Sequence, residues 1–202
     1  FLLIPMLGSL KSLILVATFN LTCSIWLFAS GNYLTTAVRK VVTTVFALFT
    51  AGLFFFVPEN LMDKFFMRDS TGTRDAGKLL YFKEGITNTI AVFKDNYGPL
   101  DPDAKRLITN GVSMSASNLI ASRYMKLLAH LPILLKDESK DILVICFGTG
   151  QTVGAAGVHP NISRVDAVDL SPEVIDSGKV FSEENYDALK NPKIHITLQD
   201  GR

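Results

Sequence analysis

The sequence predicts a chain of the α/β class: two transmembrane helices, a small β-hairpin domain, and the first half of a doubly wound, Rossmann-like parallel sheet. Three observations support this prediction. Residues 12–38 and 41–58 contain no Asp, Glu, Lys or Arg. Short strand-like runs follow within 79–112. From residue 141 onward, apolar strands alternate with helical segments, which is the pattern of a parallel sheet with crossover helices.

The two uncharged runs are long enough to cross a membrane. They predict spans at about 12–31 and 38–57, because roughly 20 helical residues match the ~30 Å hydrocarbon core of a bilayer. A signal peptide explains the first run less well, since a second run of full length follows it. A buried helical hairpin in a soluble protein is the other alternative. The predicted membrane region is therefore 1–58, and we expect further transmembrane helices of the same protein.

The rest of the chain divides into three predicted regions. Residues 59–78 form a polar linker, residues 79–117 a small N-terminal β domain, and residues 118–202 an incomplete Rossmann-like domain. The chain begins with Phe1 and stops at Arg202, just after a predicted third strand, so we expect a fragment of a longer protein.

Three strands are predicted in the Rossmann-like region, at 141–148, 164–170 and 193–199. The first two are continuous apolar runs and are expected to be buried on both faces. A helix is predicted from Pro172 to about Leu189, because Ser171 can cap its first turn and proline suits the first helical position.

The composition gives little support for other classes of site. A formal net charge of +1 gives no reason to expect a nucleic-acid partner. Cys23 and Cys146 are predicted to be buried free thiols, and no Cys/His spacing matches a zinc site, so no metal is predicted. His130, His159 and His195 are too far apart in the sequence to suggest a shared site.

Three polar or glycine-rich elements follow the three predicted strands. Gly148-Thr149-Gly150 follows the first, Asp169 ends the second, and Asp200 follows the third. Ligands of such sheets bind outside the carboxyl ends of the strands, so these elements should share one rim. Val153 replaces the third glycine of a dinucleotide fingerprint, which argues against NAD. The pattern favours an S-adenosyl compound, with Asp169 at its ribose and Asp200 at its adenine amino group.

Several segments resemble the spermidine/spermine synthase (aminopropyltransferase) family, in particular bacterial members fused to membrane helices. The resemblance covers about 79–202 and includes LLYFKEGITNTIAVFKD, which is similar to the family's E-x-x-Y-Q-x-I-x-V-F hairpin. The other segments are RYMKLLAHLPILL, DILVICFGTGQTVGA, HPNISRVDAVDLSPEVI and FSEENYDALKNPKIHITLQDGR. The resemblance implies a fold of the S-adenosylmethionine-dependent transferase type. It also implies transfer of an aminopropyl group from decarboxylated S-adenosylmethionine to an amine.

The resemblance assigns roles to individual residues. Asp169 falls on the family's ribose-binding residue, Asp200 on its adenine-binding Asp, and Asn88 where the family has a Gln near the donor. Tyr124 falls on a tyrosine that lines the amine site and is the candidate catalytic residue, whereas the main catalytic Asp is expected beyond Arg202. The predicted cosubstrate-binding residues are Asn88, Gly148, Thr149, Gly150, Gln151, Asp169, Leu170, Asp200 and Gly201.

Two departures from the family pattern leave the activity open. The family's G-G-G-D-G-G is aligned with residues 147–152, which puts Gly150 at the acidic position. A Gln-Glu pair after the tyrosine becomes Met125-Lys126. The alternatives are a methyltransferase that uses S-adenosylmethionine in the same pocket, or a membrane transport or scaffold protein with a non-catalytic domain. The predicted location is the cell (inner) membrane, with several spans and a cytoplasmic soluble domain. A homo-oligomer is compatible with the sequence.

Overall fold

The computed structural model describes residues 3–31, 35–56, 77–136 and 138–202. Within the helices, the side chains of Pro5, Ala29 and residues 53–56 lie outside the description. The chain divides into two compact units, Phe1–Phe65 and Phe66–Arg202. Most of the predicted linker at 59–78 lies outside the described residues.

The first unit contains two helices that contact each other, α1 (Leu3–Ser30) and α2 (Thr36–Phe56). Its segment Met6–Phe28 is long and apolar enough to cross a membrane, although a signal sequence would meet the same test of length and composition. It is the one such helix among the described residues. The side chains of α2 are described only as far as residue 52, so the second predicted span stays a prediction.

The second unit begins with a four-stranded antiparallel meander in the order β1 (Lys78–Glu84), β2 (Thr89–Asp95), β3 (Ala104–Thr109) and β4 (Val112–Ala116). Because side chains of a strand alternate between faces, the central strand β2 supplies two separate clusters. Ile90 and Val92 join the main core, whereas Ala91 and Phe93 form a smaller cluster on the other face.

Helix α3 (Leu119–Leu135) connects the meander to the second sheet. Asn118 caps it, since its side-chain oxygen accepts a hydrogen bond from the Ala121 N–H at 2.9 Å. Ala129 and Ile133 are buried against the main core, and α3 packs on the short helix α4 (Gln151–Gly157). This packing places the middle of α3 beside the glycine-rich turn that precedes α4.

The second sheet contains three parallel strands in the order β5 (Asp141–Ile145), β6 (Arg164–Asp169) and β7 (Ile194–Leu198). One face packs on the core through alternating residues such as Ile142 and Val144. The other face is open along β5, where Leu143 is 63% and Ile145 55% exposed. The prediction that the first strand is buried on both faces was therefore wrong for the described chain.

Two other predictions need correction. The helix after Ser171 does not continue to about Leu189: α5 (Pro172–Ser177) is followed by 3-10 turns at Gly178–Phe181 and Ala188–Lys190. A continuous helix cannot reach Leu189, because Tyr186 and Asp187 adopt positive φ. The two cysteines are free as predicted, but both are exposed, because Cys23 lies on the outer surface of α1 and Cys146 in the turn after β5.

Candidate functional site

The turn after β5 has an alternating left-handed backbone. Cys146, Gly148 and Gly150 have φ angles of 74°, 56° and 79°. A Cβ on Gly148 would meet no atom within 4 Å, so that glycine is required only by its φ angle. A Cβ on Gly150 would lie 2.7 Å from the ring of Phe147, so this position needs glycine for space as well.

Asp169 lies against this turn at the carboxyl ends of β5 and β6. Its Oδ2 accepts a hydrogen bond from the Phe147 N–H at 2.7 Å, and its Oδ1 accepts one from the Ser171 N–H at 2.9 Å. The carboxylate therefore connects the turn after β5 with the start of α5. Each carboxylate oxygen has a second acceptor position, so the same group retains the capacity to accept hydrogen bonds from a ligand's hydroxyls.

The side chains of Thr149 and Gln151 point away from this carboxylate. Both are almost completely buried. The Gln151 amide nitrogen donates to the Ala116 carbonyl at 3.0 Å and to Thr149 Oγ1 at 3.1 Å. These residues were predicted to bind a cosubstrate, but their side chains instead attach the turn to the end of β4.

Met125 is surrounded by polar groups on this side of the turn. Its sulfur lies 3.3 Å from Ser115 Oγ, 3.4 Å from Thr149 Oγ1 and 3.6 Å from the Gln151 amide nitrogen. A thioether is a weak hydrogen-bond acceptor. The substitution identified in the sequence thus places a soft, uncharged atom where three donors converge.

Tyr124 precedes Met125 on α3, but its side chain is 62% exposed. Among the described residues, no hydrogen bond joins it to the turn or to Asp169. The neighbouring Lys126 has its ammonium 4.5 Å from the centre of the Tyr186 ring, in a cation–π contact. The side of the site predicted for an amine therefore carries an exposed phenol and a positive charge.

The predicted residues after β6 and β7 lie at the same end of the sheet. A Cβ on Gly201 would come within 2.5 Å of the Ile145 side chain, which brings the end of the chain close to the end of β5. Asp200 pairs with Arg202, with 2.7 Å between Oδ2 and Nη2, and these bonds hold the pKa of Asp200 below its usual range. Leu170, directly after Asp169, is 61% exposed. The segments that follow the three parallel strands therefore lie at one end of the sheet.

Asn88 lies in the turn between β1 and β2, and its side chain bonds within the four-stranded meander. Its side-chain oxygen accepts a hydrogen bond from the Asn110 amide at 3.0 Å. This β1–β2 hairpin nevertheless approaches α5, because a Cβ on Gly85 would come within 2.3 Å of the Glu173 carboxyl carbon. The hairpin end is therefore beside the helix that follows Asp169.

Tyr81 fixes the same hairpin to α5, a contact that the sequence does not reveal. Its hydroxyl donates to Asp176 Oδ2 at 3.1 Å, and Lys83 approaches the same oxygen at 3.6 Å. Burial, followed by the negative charge of Asp176, raises the pKa of Tyr81 well above its usual value. Tyr81 therefore acts as a neutral hydrogen-bond donor at every ordinary pH.

Two histidines that are distant in the sequence lie together. His130 Nδ1 is 2.7 Å from His159 Nε2, which connects α3 to the loop after α4. Their separation in the sequence did not suggest this contact. Burial lowers the pKa of His130, with smaller contributions from His159 and Lys126. Among the described residues, no cluster of three or more His, Cys, Asp or Glu side chains is suitable for a metal ion.

Comparison with known proteins supports the synthase resemblance. Residues 121–202 match the family model of the spermine/spermidine synthase domain. The polyamine aminopropyltransferase of Leptospira biflexa is 28% identical over 121 residues, which are 57% of this chain and 43% of that protein. The enzyme of the same name from Archaeoglobus fulgidus is 26% identical over 125 residues, or 62% and 44% of the two chains. The chain thus spans less than half the length of these relatives.

Solved structures show the same fold. The spermidine synthase of Thermotoga maritima superposes with a TM-score of 0.54 at 19% identity, covering 61% of this chain and 42% of that one. A second spermidine synthase, in complex with the transition-state analogue AdoDATO, gives 0.54 at 18% identity, with 62% and 41% covered. The resemblance predicted from the sequence is confirmed: the second unit is a spermidine synthase-like α/β fold.

Proposed function

We propose that the rim around Asp169 binds an S-adenosyl compound, and that the protein transfers the aminopropyl group of decarboxylated S-adenosylmethionine to an amine. The position of Asp169 is the main support. It connects the glycine-rich turn to the start of α5 at the carboxyl end of the sheet, the location at which such folds bind ligands. The names of the curated relatives, polyamine aminopropyltransferases, support the same activity.

In this proposal the residues of the rim have separate roles. Asp169 accepts hydrogen bonds from the ribose hydroxyls, and Asp200 binds the adenine amino group beside Leu170 and Gly201. The backbone of the 148–151 turn lies along the side chain of the donor. Asn88, at the hairpin that approaches α5, contributes from the small β domain.

The backbone supports a register of the glycine-rich motif that begins one residue earlier than the register predicted from the sequence. Starting at Cys146, the first, third and fifth positions of G-G-G-D-G-G coincide with the three left-handed residues Cys146, Gly148 and Gly150. The acidic position then falls on Thr149 rather than on Gly150. A side chain at Gly150 would contact the Phe147 ring at 2.7 Å, which is a further reason to prefer this register.

The transfer needs an uncharged amine nitrogen aligned with the methylene carbon next to the sulfonium. The nitrogen forms the new C–N bond as the C–S bond breaks, the neutral thioether leaves, and the amine proton passes to a carboxylate base. Tyr124 is proposed to line the amine side. The carboxylate base is proposed to lie in the part of the protein that follows Arg202.

We further propose that the first unit anchors the protein in the cell membrane through two spans, with the synthase-like unit in the cytoplasm. Five polar side chains of α1 bond to carbonyl groups of their own helix four residues earlier: Ser12, Thr18, Asn20, Thr22 and Ser24. Polar groups satisfied in this way suit an apolar environment. The cytoplasmic side is where S-adenosyl compounds are made.

One observation favours ligand binding without transfer as the second candidate. Met125 and Lys126 occupy the positions at which the family has a Gln-Glu pair, and the Lys126 ammonium lies over the Tyr186 ring. A cationic amine would meet a like charge there instead of a carboxylate. A protein that binds the nucleoside and transfers nothing would show the same rim.

Calorimetric titration of the full-length protein, purified in detergent, tests the proposal. Decarboxylated S-adenosylmethionine should bind more tightly than S-adenosylmethionine, and added diamines should be converted to longer polyamines, detected by mass spectrometry. Binding without product would favour the binding-only candidate, whereas methylated product from S-adenosylmethionine would favour a methyltransferase. If neither compound binds, the nucleoside assignment is wrong.

A further inference from the structure

Asn185 is a buried residue between the two 3-10 turns, with 1% of its surface exposed. Its side chain makes three hydrogen bonds. The amide nitrogen donates to the Thr149 carbonyl at 3.1 Å and to the Gly178 carbonyl at 2.9 Å, and the side-chain oxygen accepts from the Ala188 N–H at 3.2 Å. Both amide hydrogens are therefore used, and one of them binds the middle residue of the glycine-rich turn.

Two glycines make room for this residue. A Cβ on Gly154, in α4, would lie 1.8 Å from the Asn185 carbonyl oxygen, and a Cβ on Gly150 would lie 3.0 Å from its amide nitrogen. The chain after Asn185 is also in an unfavourable conformation, since Tyr186 and Asp187 have φ angles of 56° and 52°. The surrounding structure thus holds Asn185 tightly against the turn and against α4.

The loop 183–187 also contacts two other parts of the unit. Glu184 forms an ion pair with Lys105 of β3 at 3.0 Å, and only 19% of either side chain is exposed. Tyr186 lies under the ammonium of Lys126 on α3. The loop therefore connects the meander, α3 and the glycine-rich turn.

Asn185 and Asp169 bind different residues of the same turn. Asp169 accepts from the Phe147 N–H, whereas Asn185 donates to the Thr149 carbonyl. Held at both residues, the left-handed segment between them has little freedom to change its backbone angles. A ligand that binds the backbone of the turn would then meet a preorganised surface.

We infer that Asn185 is a positioning residue, which holds the 148–150 turn in the conformation that binds ligand without itself touching the ligand. The effect of Asn185 on the backbone of the turn does not depend on any ligand, whereas its effect on ligand affinity rests on the proposed function. A role limited to general stability would loosen the whole unit. A positioning role loosens the turn first.

Hydrogen–deuterium exchange of the full-length protein tests this inference, with Asn185→Ala as the variant. The Gly150 N–H, which bonds to the Phe147 carbonyl at 2.9 Å, should exchange about tenfold faster, while amides of β2 and β3 stay unchanged. Asn191→Ala is the matched control. It removes one part-buried hydrogen bond in a nearby loop, from the Lys193 N–H at 3.0 Å, and should leave the turn unchanged.

The second measurement is the affinity for decarboxylated S-adenosylmethionine. Asn185→Ala should weaken it about tenfold, because the ligand must then order the freed turn, at roughly the entropic cost of fixing the backbone of one residue, with turnover at saturation unchanged if the protein is a transferase. If Asn185→Ala does not fold, the isosteric Asn185→Asp replaces it. This variant keeps the acceptor for Ala188 but lacks both donors, so the same loosening is expected.

Hydrogen exchange tests the positioning role of Asn185, and the affinity measurement also tests the proposed function. If the wild-type protein binds no S-adenosyl compound but the turn exchanges faster in the variant, the proposed function fails and the positioning role stands. Equal exchange in the turn of wild type and variant, or an equal increase throughout the unit, would overturn the positioning role.

Discussion

Replacing Asp169 by alanine should affect both the stability of the fold and ligand binding. The carboxylate accepts from the Phe147 N–H at 2.7 Å and the Ser171 N–H at 2.9 Å. A hydrogen bond to a charged group contributes about 1.5–3 kcal/mol. Since Asp169 is only half-buried, solvent can replace part of this, and we expect a loss of roughly 2–4 kcal/mol in the free energy of unfolding for the two bonds together.

Chemical denaturation of the full-length protein, followed by far-UV circular dichroism, measures this loss. The matched control is Asp166→Ala on the same strand, because Asp166 is a surface residue that pairs with Arg164 through a 2.8 Å contact. The control should leave the midpoint of the transition nearly unchanged. If the Asp169→Ala protein is as stable as the control, the carboxylate does not stabilise the contact between the turn after β5 and the start of α5.

Ligand binding by the same variant tests the proposed role of Asp169 in the nucleoside site. Loss of the ribose contact should weaken binding of an S-adenosyl compound by a further ~1.5–3 kcal/mol, or more than tenfold. Titration is performed at a temperature at which the variant is fully folded, so that the loss of stability does not contribute. Equal affinities of wild type and Asp169→Ala would remove Asp169 from the nucleoside site.

Four further results are expected. Gly154→Ala should destabilise the fold by about 3 kcal/mol, the upper part of the usual range for overpacking, because the new Cβ would lie 1.8 Å from a carbonyl oxygen of the neighbouring loop. Gly148→Ala should lose only the ~1–2 kcal/mol of a left-handed residue. Burial lowers the pKa of His130, which contacts His159. As the pH falls, His130 is therefore protonated in the unfolded chain before it is protonated in the folded protein. Stability should be complete above the unfolded pKa near 6.5 and decrease as the pH falls below it. Finally, the apolar segment Met6–Phe28 should keep the protein in membranes during carbonate extraction.

A control or variant distinguishes each expected result from its alternative. Denaturation midpoints that are equal for the two glycine variants would show that the loop does not lie on α4 as described. The decrease in stability below pH 6.5 should be smaller in His130→Gln, and an unchanged decrease would assign it to other groups. Deletion of residues 1–58 should release the protein into the aqueous phase, and an intact protein that is itself released would contradict the membrane anchor.

The alternation of strands and helices after residue 141 could be predicted from the sequence because it depends on local patterns. Apolar runs of β-branched residues end at glycine or aspartate, and each marks a strand and its carboxyl end. The position of Asp169 beside the glycine-rich turn followed from the same rule, since neighbouring parallel strands end at one edge. These inferences needed no knowledge of tertiary contacts.

The contacts that hold the turn could not be predicted in this way. Asn185 lies 36 residues from Thr149 in the sequence, and nothing local distinguishes it from a solvated asparagine in a helix. The helix predicted through this region failed for the same reason: contact with Gly154 and the turn outweighs the local helix propensity. The His130–His159 contact likewise exists only because α3 packs on α4.

The two halves of the proposed site differ in how completely the described residues build them. The nucleoside half is held at two points of one turn, by Asp169 and Asn185, so its geometry does not depend on a second substrate. The amine half offers an exposed Tyr124, the Met125 sulfur and the charge of Lys126. An amine would have to meet its carboxylate partners elsewhere in the protein. The nucleoside should therefore bind without the amine, and with an affinity that the amine changes little, which titration in the presence and absence of a diamine would measure.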